Sequence, residues 1–146
     1  MDIIKVTTQA QLDACFALRI KIFCDEQGVL VDDEFDDFDT LDALCDHLLM
    51  MDNGVPVASG RFRIVDGIGK LERIVVEKAH RAIGLGTKIL SALQSLAVNK
   101  QLDQIKLHAQ VQAKDFYLKQ GFIVASDVFV EDGIDHVVMT KVVSAL

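Results

Sequence analysis

The sequence of 146 residues has no tryptophan, a single proline, one tyrosine and only three cysteines. The cysteines, Cys15, Cys24 and Cys45, show no C-x-x-C spacing. A zinc site or disulfide framework is therefore disfavoured, and buried reduced thiols are expected. No apolar run approaches the ~18 residues of a membrane helix, and the amino terminus lacks the basic start of a signal peptide. We expect a cytoplasmic protein without membrane contacts.

The charge balance is acidic, with a net charge of −7. This charge opposes nucleic-acid binding and favours a positively charged small molecule. Eight acids fall between Asp25 and Asp39, with Phe35 and Phe38 among them. The segment is either a solvated loop or an acidic lip for a cationic amine, anchored by the two phenylalanines. A calcium loop is disfavoured because Asp37 replaces the required glycine, so no metal is predicted.

The order of predicted elements indicates an α/β (α+β) fold in which helices and a mixed sheet share one core. No repeat or linker is visible, so residues 1–146 are expected to form a single domain. Predicted strands cover Ile3–Val6, 43–51, 55–65, 69–76, Ile105–Gln110 and a hairpin of 122–130 with 134–142. Predicted helices start at Thr7 or Thr8, run from Gly84 to about Lys100, and cover Gln112–Lys119.

A glycine turn lies where the third long strand meets the following helix, between Arg81 and Thr87. Backbone N–H groups at such a helix start can converge on a phosphate. The plainer interpretation is that Gly84 and Gly86 only ease a tight turn. The letter order fits neither a Walker loop nor a dinucleotide fingerprint, which disfavours triphosphate hydrolysis and dinucleotide binding.

Two motifs carry a resemblance to a known family. Arg81, Gly84 and Gly86 match the spacing [R/Q]-x-x-G-x-[G/A], although Ala82 stands where many members have glycine. The second motif is formed by Gln110, Ala113, Phe116, Tyr117, Gly121 and Phe122. In both, the chain resembles the GNAT N-acetyltransferase superfamily. It is similar to the ElaA-like branch at Arg19, Phe23, Glu26, Gln27, Glu34, Asp36, Asp39, His47, Gly133, Ile134 and His136.

The resemblance implies a GNAT fold, with a mixed, mostly antiparallel sheet splayed between its fourth and fifth strands and flanked by helices. It implies acetyl-CoA as acyl donor, with the pantetheine arm pairing with the open strand and a backbone N–H near Ile74 or Val75 polarising the thioester. The donor-binding residues implied are Ile74, Val75, Val76, Arg81, Ala82, Ile83, Gly84, Leu85, Gly86, Thr87, Gln110 and Tyr117.

The resemblance also implies catalytic roles. Tyr117 is the predicted acid that protonates the departing thiolate; its alternative role is that of a core aromatic. Glu72 is the candidate base, with an arginine-paired carboxylate as the alternative. Glu26, His47 and His108 are assigned to the acceptor side and held as reserve bases, against the alternative that the histidines are hydrogen-bonded strand residues.

Two functions follow from these assignments. The first is an acyltransferase that moves acetyl from acetyl-CoA to a primary amine by direct attack in a ternary complex, without a cysteine intermediate. The second is a non-catalytic acyl-CoA-binding or protein-interaction module. The retained Tyr117 favours the enzyme. Either would act as a monomer or homodimer.

Overall fold

A computed structural model describes residues 1–81 and 84–143. In these residues one sheet has the strand order β1-β2-β3-β4-β5-β8-β6, and β7 also pairs with β8. The strands are β1 Asp2–Lys5, β2 Asp46–Asp52, β3 Val55–Val65, β4 Ile68–Val76, β5 Gln104–Gln110, β6 Ile123–Val124, β7 Phe129–Glu131 and β8 Ile134–Val142. The helices are α1 Gln9–Arg19, α2 Val31–Glu34, α3 Leu85–Asn99 and α4 Lys114–Lys119.

Helix α1 begins with a capping box. The Thr8 hydroxyl accepts a hydrogen bond from the Gln11 backbone N–H at 3.2 Å, and the Gln11 side chain accepts one from the Thr8 N–H at 3.2 Å. This reciprocal pair satisfies two donors that a helix start leaves unpaired. Of the two threonines that the sequence offered, Thr8 is the cap. The helix continues as a π-helical segment, Ile20–Glu26.

Helices cover both faces of the sheet. One core lies under α3 and α4 and includes Leu93 and Phe122, while a smaller one joins α1 to the opposite face through Leu18 and Val75. Helix α3 crosses β3 closely at Gly60, where a Cβ atom would lie 2.7 Å from the Leu93 side chain. Glycine at this position therefore sets how near the helix comes to the sheet.

Strands β4 and β5 are parallel and pair over three residues, from Gly69 with Ile105 to Leu71 with Leu107. Beyond Leu71 and Leu107 the ladder ends although both strands continue. The predicted splay between the fourth and fifth strands is thereby confirmed. The edge of β4 that faces β5 is left without a strand partner in the part of the chain that the structure describes.

A β-bulge lies in β4 next to this opening. The pairing with β3 shifts register there, and Arg73 has a left-handed φ of 53°. In a regular strand, side chains three positions apart lie on opposite faces, but Leu71 and Ile74 both pack into the α3-side core. The bulge therefore reverses the alternation, and the backbone N–H and C=O groups around Ile74 point in different directions from those of a regular strand.

The last hairpin differs from the predicted one. The run 122–130 is broken into β6 and β7, and the segment between them bonds to β8 through the Ser126 hydroxyl, which accepts from the Val138 N–H at 2.8 Å. A side chain thus replaces part of the ladder, which the apolar pattern alone does not reveal. No helix in the described ranges is long and apolar enough to cross a membrane.

Candidate active site

A cleft of about 670 Å³ opens where β4 and β5 diverge. The π-helical segment and the loop after α2 form one wall, and the turn between β7 and β8 and the start of α4 form the other. Among its lining residues are Phe23, Gln27, Asp33, Glu72, Arg73, Ile74, Val75, Val76, Arg81, His108, Gln110, Tyr117, Glu131, Asp132 and His136. Most of the predicted catalytic and donor residues of β4, β5 and α4 therefore meet in one place.

The described part of the glycine turn includes Gly84, which directly precedes α3. Gly84 adopts a left-handed φ of 83°, and a Cβ there would meet nothing within 4 Å. The first intrahelical bond runs from the Lys88 N–H to the Gly84 carbonyl at 3.2 Å, so the N–H groups of Leu85, Gly86 and Thr87 have no acceptor within the helix. Of the donor residues predicted in this turn, Ala82 and Ile83 lie outside the described residues.

Arg81 is tied to both the cleft and the π-helical segment. Its Nε donates to the Val76 carbonyl at 3.0 Å, and its guanidinium lies 2.8 Å from the Glu26 carboxylate. Glu26 is absent from the cleft lining among the described residues. Glu26, predicted to contact the acceptor, is thus a partner of the donor-side arginine in this structure.

Tyr117 lies half-buried on α4. Its ring packs edge to face with Phe116 at 5.1 Å and with Phe122 at 5.8 Å between centroids. Burial raises the pKa of its hydroxyl to about 12, so the group holds its proton at neutral pH. Tyr117 packs against the core and also lines the cleft, and its role as acid stays a prediction.

Glu72 is buried and surrounded by cations. Its carboxylate pairs with Arg63, with Lys70 at 3.2 Å and with Arg61 at 3.3 Å. Burial raises its pKa, but the hydrogen bond from Arg63 and the nearby positive charges outweigh that effect and lower it to about 2. A carboxylate so stabilised has little affinity for a proton. Its role as base stays a prediction, and these contacts disfavour it.

The acidic loop is held by two buried arginines that the sequence pattern alone does not link to it. Arg19 and Arg61 are each only 1% exposed. Arg19 bonds Asp39 at 2.7 Å and Glu34 at 3.1 Å, while Arg61 bonds Asp36 at 2.7 Å. Glu34 and Asp39 are thereby turned into the protein, whereas the Asp36 side chain stays 38% exposed, so the role of the loop as an acidic lip remains a prediction. An arginine inside an apolar strand, as at position 61, is the signal that could have indicated this network.

The two phenylalanines of this loop anchor it, as predicted. Phe35 packs edge to face on Phe16 at 5.0 Å and lies against the Arg19 guanidinium at 4.9 Å. Phe38 lies 4.1 Å from the Arg63 guanidinium. Stacking of this kind favours a flat, weakly hydrated cation such as arginine. The loop is thus fixed over the sheet by aromatic as well as ionic contacts.

The three residues predicted on the acceptor side, Glu26, His47 and His108, lie in different parts of the structure. His47 is buried on β2, where its Nε2 lies 3.2 Å from the Phe38 carbonyl, and burial lowers its pKa. It does not line the cleft within the described residues. His108 does line it, and its Nδ1 lies 2.9 Å from the Glu131 carboxylate. Of the three candidates, His108 is the one that lines the cleft.

Gln110 closes one end of the cleft. Its side-chain amide donates to that of Gln27 at 2.8 Å and accepts from Gln112 at 2.8 Å. The first bond links β5 to the π-helical segment across the opening. The resemblance implied that Gln110 contacts acetyl-CoA, but in this structure its side-chain amide is hydrogen-bonded to Gln27 on the opposite wall.

The cysteines have the properties of structural thiols. All three are free, and burial raises the pKa of Cys15 and of Cys45 to about 12. A thiol at that pKa is protonated at neutral pH and is a poor nucleophile. Neither is among the cleft-lining residues within the described ranges.

Comparison with known proteins supports the same family. Residues 41–143 match the model of the acetyltransferase (GNAT) domain. A candidate acetyltransferase of Bacillus subtilis is 45% identical over 97% of this chain and 96% of its own. ElaA of Escherichia coli is 31% identical over 90% of this chain and 88% of its own.

Solved structures agree with the sequence relatives. The crystal structure of Escherichia coli ElaA superposes with a TM-score of 0.87 at 27% identity, covering 97% of this chain and 99% of that one. An N-acetyltransferase of Thermoplasma acidophilum in complex with coenzyme A shares the fold, with a TM-score of 0.74 at 16% identity and coverage of 97% and 99%. The chain belongs to the GNAT family of N-acetyltransferases, whose members use acetyl-CoA.

Proposed function

We propose that the protein transfers an acetyl group from acetyl-CoA to a primary amine, which attacks the thioester directly in a ternary complex. The observation that carries the proposal is the loss of pairing between β4 and β5 after Leu71 and Leu107, with Tyr117 lining the cleft that opens there. The cleft offers backbone donors and acceptors and a proton donor, and the start of α3 lies against Phe116, next to Tyr117 on α4.

The donor side fits the groups that acetyl-CoA would present. The open edge of β4 at Ile74, Val75 and Val76 offers hydrogen bonds to an amide-containing chain such as pantetheine, in the manner of an added strand. The first turn of α3 offers N–H groups and the positive end of the helix dipole to a pyrophosphate. The open space beside Gly84 lets a phosphate approach the backbone.

The bulge at Arg73 serves the chemistry in this proposal. It turns a backbone N–H near Ile74 or Val75 away from the regular ladder, where it can donate to the acetyl carbonyl oxygen as negative charge develops there. A single donor of this kind is worth about 3 kcal/mol in comparable sites. Since the donor belongs to the backbone, it is fixed before the reaction begins.

Tyr117 is the proposed acid. Its hydroxyl is protonated at neutral pH, as in any tyrosine, and burial raises its pKa; it lies on the α4 side of the gap. Proton donation to the sulfur makes the thiolate a better leaving group. Glu72, the predicted base, is held by three cations and assists by fixing the β3–β4 wall in this proposal.

The acceptor is proposed to be cationic. Asp33 and Asp132 line the mouth of the cleft, and the net charge of the chain is −7. Both features attract an ammonium group before it loses its proton. We place the reaction in the cytosol, where free thiols such as those of the three cysteines stay reduced.

One two-part experiment tests the proposal. Calorimetry with acetyl-CoA measures donor binding, and a thiol-release assay over peptides, polyamines, amino sugars and aminoglycosides measures transfer. Binding together with release on at least one amine is expected. Binding without release on any of these acceptors would favour a non-catalytic acyl-CoA-binding module, and absence of binding would remove both functions.

A further inference from the structure

His108 lies on β5 directly after Leu107, the last residue that pairs with β4. Leu107 and Ala109 are buried in the α3-side core, so the alternation of the strand directs His108 to the opposite face of the sheet. Tyr117 packs against the α3-side core. Tyr117 and His108 thus border the gap from opposite faces of the sheet. Tyr117 is on the side expected for the leaving thiolate, and His108 is on the side expected for the attacking amine.

Glu131 fixes the chemical state of the His108 ring. The His108 Nδ1 lies 2.9 Å from the Glu131 carboxylate, and this hydrogen bond lowers the Glu131 pKa. An ionised carboxylate only accepts, so Nδ1 carries a proton, and in the neutral ring the free lone pair is on Nε2. Phe129 packs edge to face on the imidazole at 5.2 Å and restricts its rotation.

We propose that His108 is the base of the reaction, its Nε2 taking the proton from the acceptor ammonium, and that Glu131 is its positioning residue. The inference rests on the proposed acetyl transfer. One ammonium proton moves to Nε2, and the freed nitrogen lone pair forms the C–N bond. As the C–S bond breaks, sulfur takes the hydroxyl proton of Tyr117. The second proton on the acceptor nitrogen then passes to the Tyr117 oxygen and restores its hydroxyl. The His108 proton then leaves to water.

Glu131 has a second function in this arrangement. When Nε2 takes a proton the ring becomes a cation, and the adjacent carboxylate stabilises it, as an acid does beside a catalytic histidine in other enzymes. Glu72 does not offer the same chemistry because its charge is shared among three cations. The charged and titratable groups that line the cleft around His108 come from every neighbouring wall: Asp33 and Glu34 on α2, Asp36 after it, Arg63 on β3, Lys70, Glu72 and Arg73 on β4, Arg81, Tyr117 on α4, Glu131 at the end of β7, Asp132 in the turn and His136 on β8.

The test compares wild type with His108→Gln on an amine that the panel shows to be acetylated, at saturating acetyl-CoA and over a range of pH. At neutral pH, kcat of the variant is expected to fall by about a hundredfold, the scale of general base catalysis. The difference in kcat between wild type and variant should become smaller as the pH rises towards the pKa of the amine, since the solvent then removes the proton. Glu131→Gln should lower kcat by a smaller factor, and its difference from wild type should shrink with pH in the same way.

His80→Gln is the matched control. His80 Nδ1 lies 2.8 Å from the Glu77 carboxylate, much as His108 does from Glu131, but His80 is not among the described residues that line the cleft. The His80→Gln variant should show the same dependence of kcat on pH as wild type. For every variant, acetyl-CoA affinity and melting temperature should match wild type.

Three outcomes would overturn the inference. A His108→Gln enzyme with wild-type turnover removes His108 from the chemistry while acetyl transfer stands. A loss that is equal at all pH values assigns it a structural role only. Wild-type protein that binds acetyl-CoA but acetylates no amine removes the base together with the proposed reaction.

Discussion

The guanidinium of Arg81 lies 2.8 Å from the carboxylate of Glu26, so the arginine of the glycine turn is paired with an acid of the π-helical segment. Both side chains are partly exposed, at 41% and 28%. An ion pair with that exposure contributes less than about 1 kcal/mol. An incoming phosphate has to compete with Glu26 for the same cation.

Glu26→Gln should therefore raise the affinity for acetyl-CoA by about twofold to fivefold, because Arg81 no longer needs to leave a carboxylate. Calorimetry measures the change. Asp25→Asn is the control, since it removes the same charge one residue earlier. Should Glu26→Gln leave donor affinity alone and raise the KM of the amine, Glu26 would belong to the acceptor side, as the sequence had suggested.

Arg81→Glu should act in the opposite direction. It places a negative charge beside the expected phosphate position and should weaken acetyl-CoA more at low salt than at high salt, because exposed charges are screened by ions. Affinities measured at two ionic strengths test this. A loss that does not depend on salt would argue against a phosphate contact for Arg81.

Gly84 and Gly86 should differ in what their substitution costs. Gly84→Val places a β-branched residue at a φ of 83°, which destabilises the fold by about 1–2 kcal/mol in addition to blocking the phosphate approach. A Cβ at Gly86 lies 3.4 Å from Phe116, so Gly86→Val should mainly weaken acetyl-CoA binding. Urea unfolding and calorimetry separate the two effects. Unchanged affinity in both variants would remove the phosphate site from this turn.

The buried ion pairs predict how stability changes in acid. Burial raises the pKa of Asp39, but its bond with Arg19 outweighs that and lowers it to about 2; Glu72 also falls to about 2. A carboxyl whose folded pKa is depressed stabilises the protein above its unfolded pKa and loses that contribution as the pH falls. We expect a loss on the order of 2 kcal/mol from each group between about pH 4.5 and pH 2.

Urea unfolding at a series of pH values measures this loss. Asp39→Asn is the matched variant; its unfolding free energy should start lower, because the buried Arg19 keeps only Glu34 of its two carboxylate partners, and should vary less over the same interval. A free energy of unfolding that is constant from pH 4.5 to pH 2 would show that the two carboxylates are not ionised through these pairs.

The sequence predicted those parts of the site that depend on local chemistry. Gly84 lies at the helix start, and the pairing of β4 with β5 ends where the family resemblance implied. The bulge at Arg73 was not predictable, because its strained φ is imposed by pairing with β3 and not by its own propensity.

Partners distant in sequence explain the remaining differences. Glu72 alternates as a strand residue does, and the pairing of β3 with β4 brings Arg61 and Arg63 to it. His108 and Glu131 are 23 positions apart, and β7 brings them together across β8. A single sequence contains no direct signal for such pairs, whereas the helix cap is encoded within four residues, and Thr8 is one of the two threonines predicted for it.

Tyr117 gives the most direct test of the chemistry. Tyr117→Phe keeps the ring contacts with Phe116 and Phe122 and removes only the hydroxyl. Acetyl-CoA affinity should stay nearly unchanged while turnover falls by about a hundredfold or more, the usual scale of acid catalysis. Binding and chemistry would thus separate in one variant.

The measurement is steady-state thiol release at several pH values on a confirmed amine, with a single-turnover check that chemistry limits the rate. Leu118→Ala is the control, because Leu118 is 43% exposed on the same helix. The loss in Tyr117→Phe should be smaller for an acyl donor with a more acidic thiol, since such a thiolate leaves without a proton. If the variant turned over as fast as wild type with the natural donor, Tyr117 would be a packing residue, and water would have to protonate the sulfur.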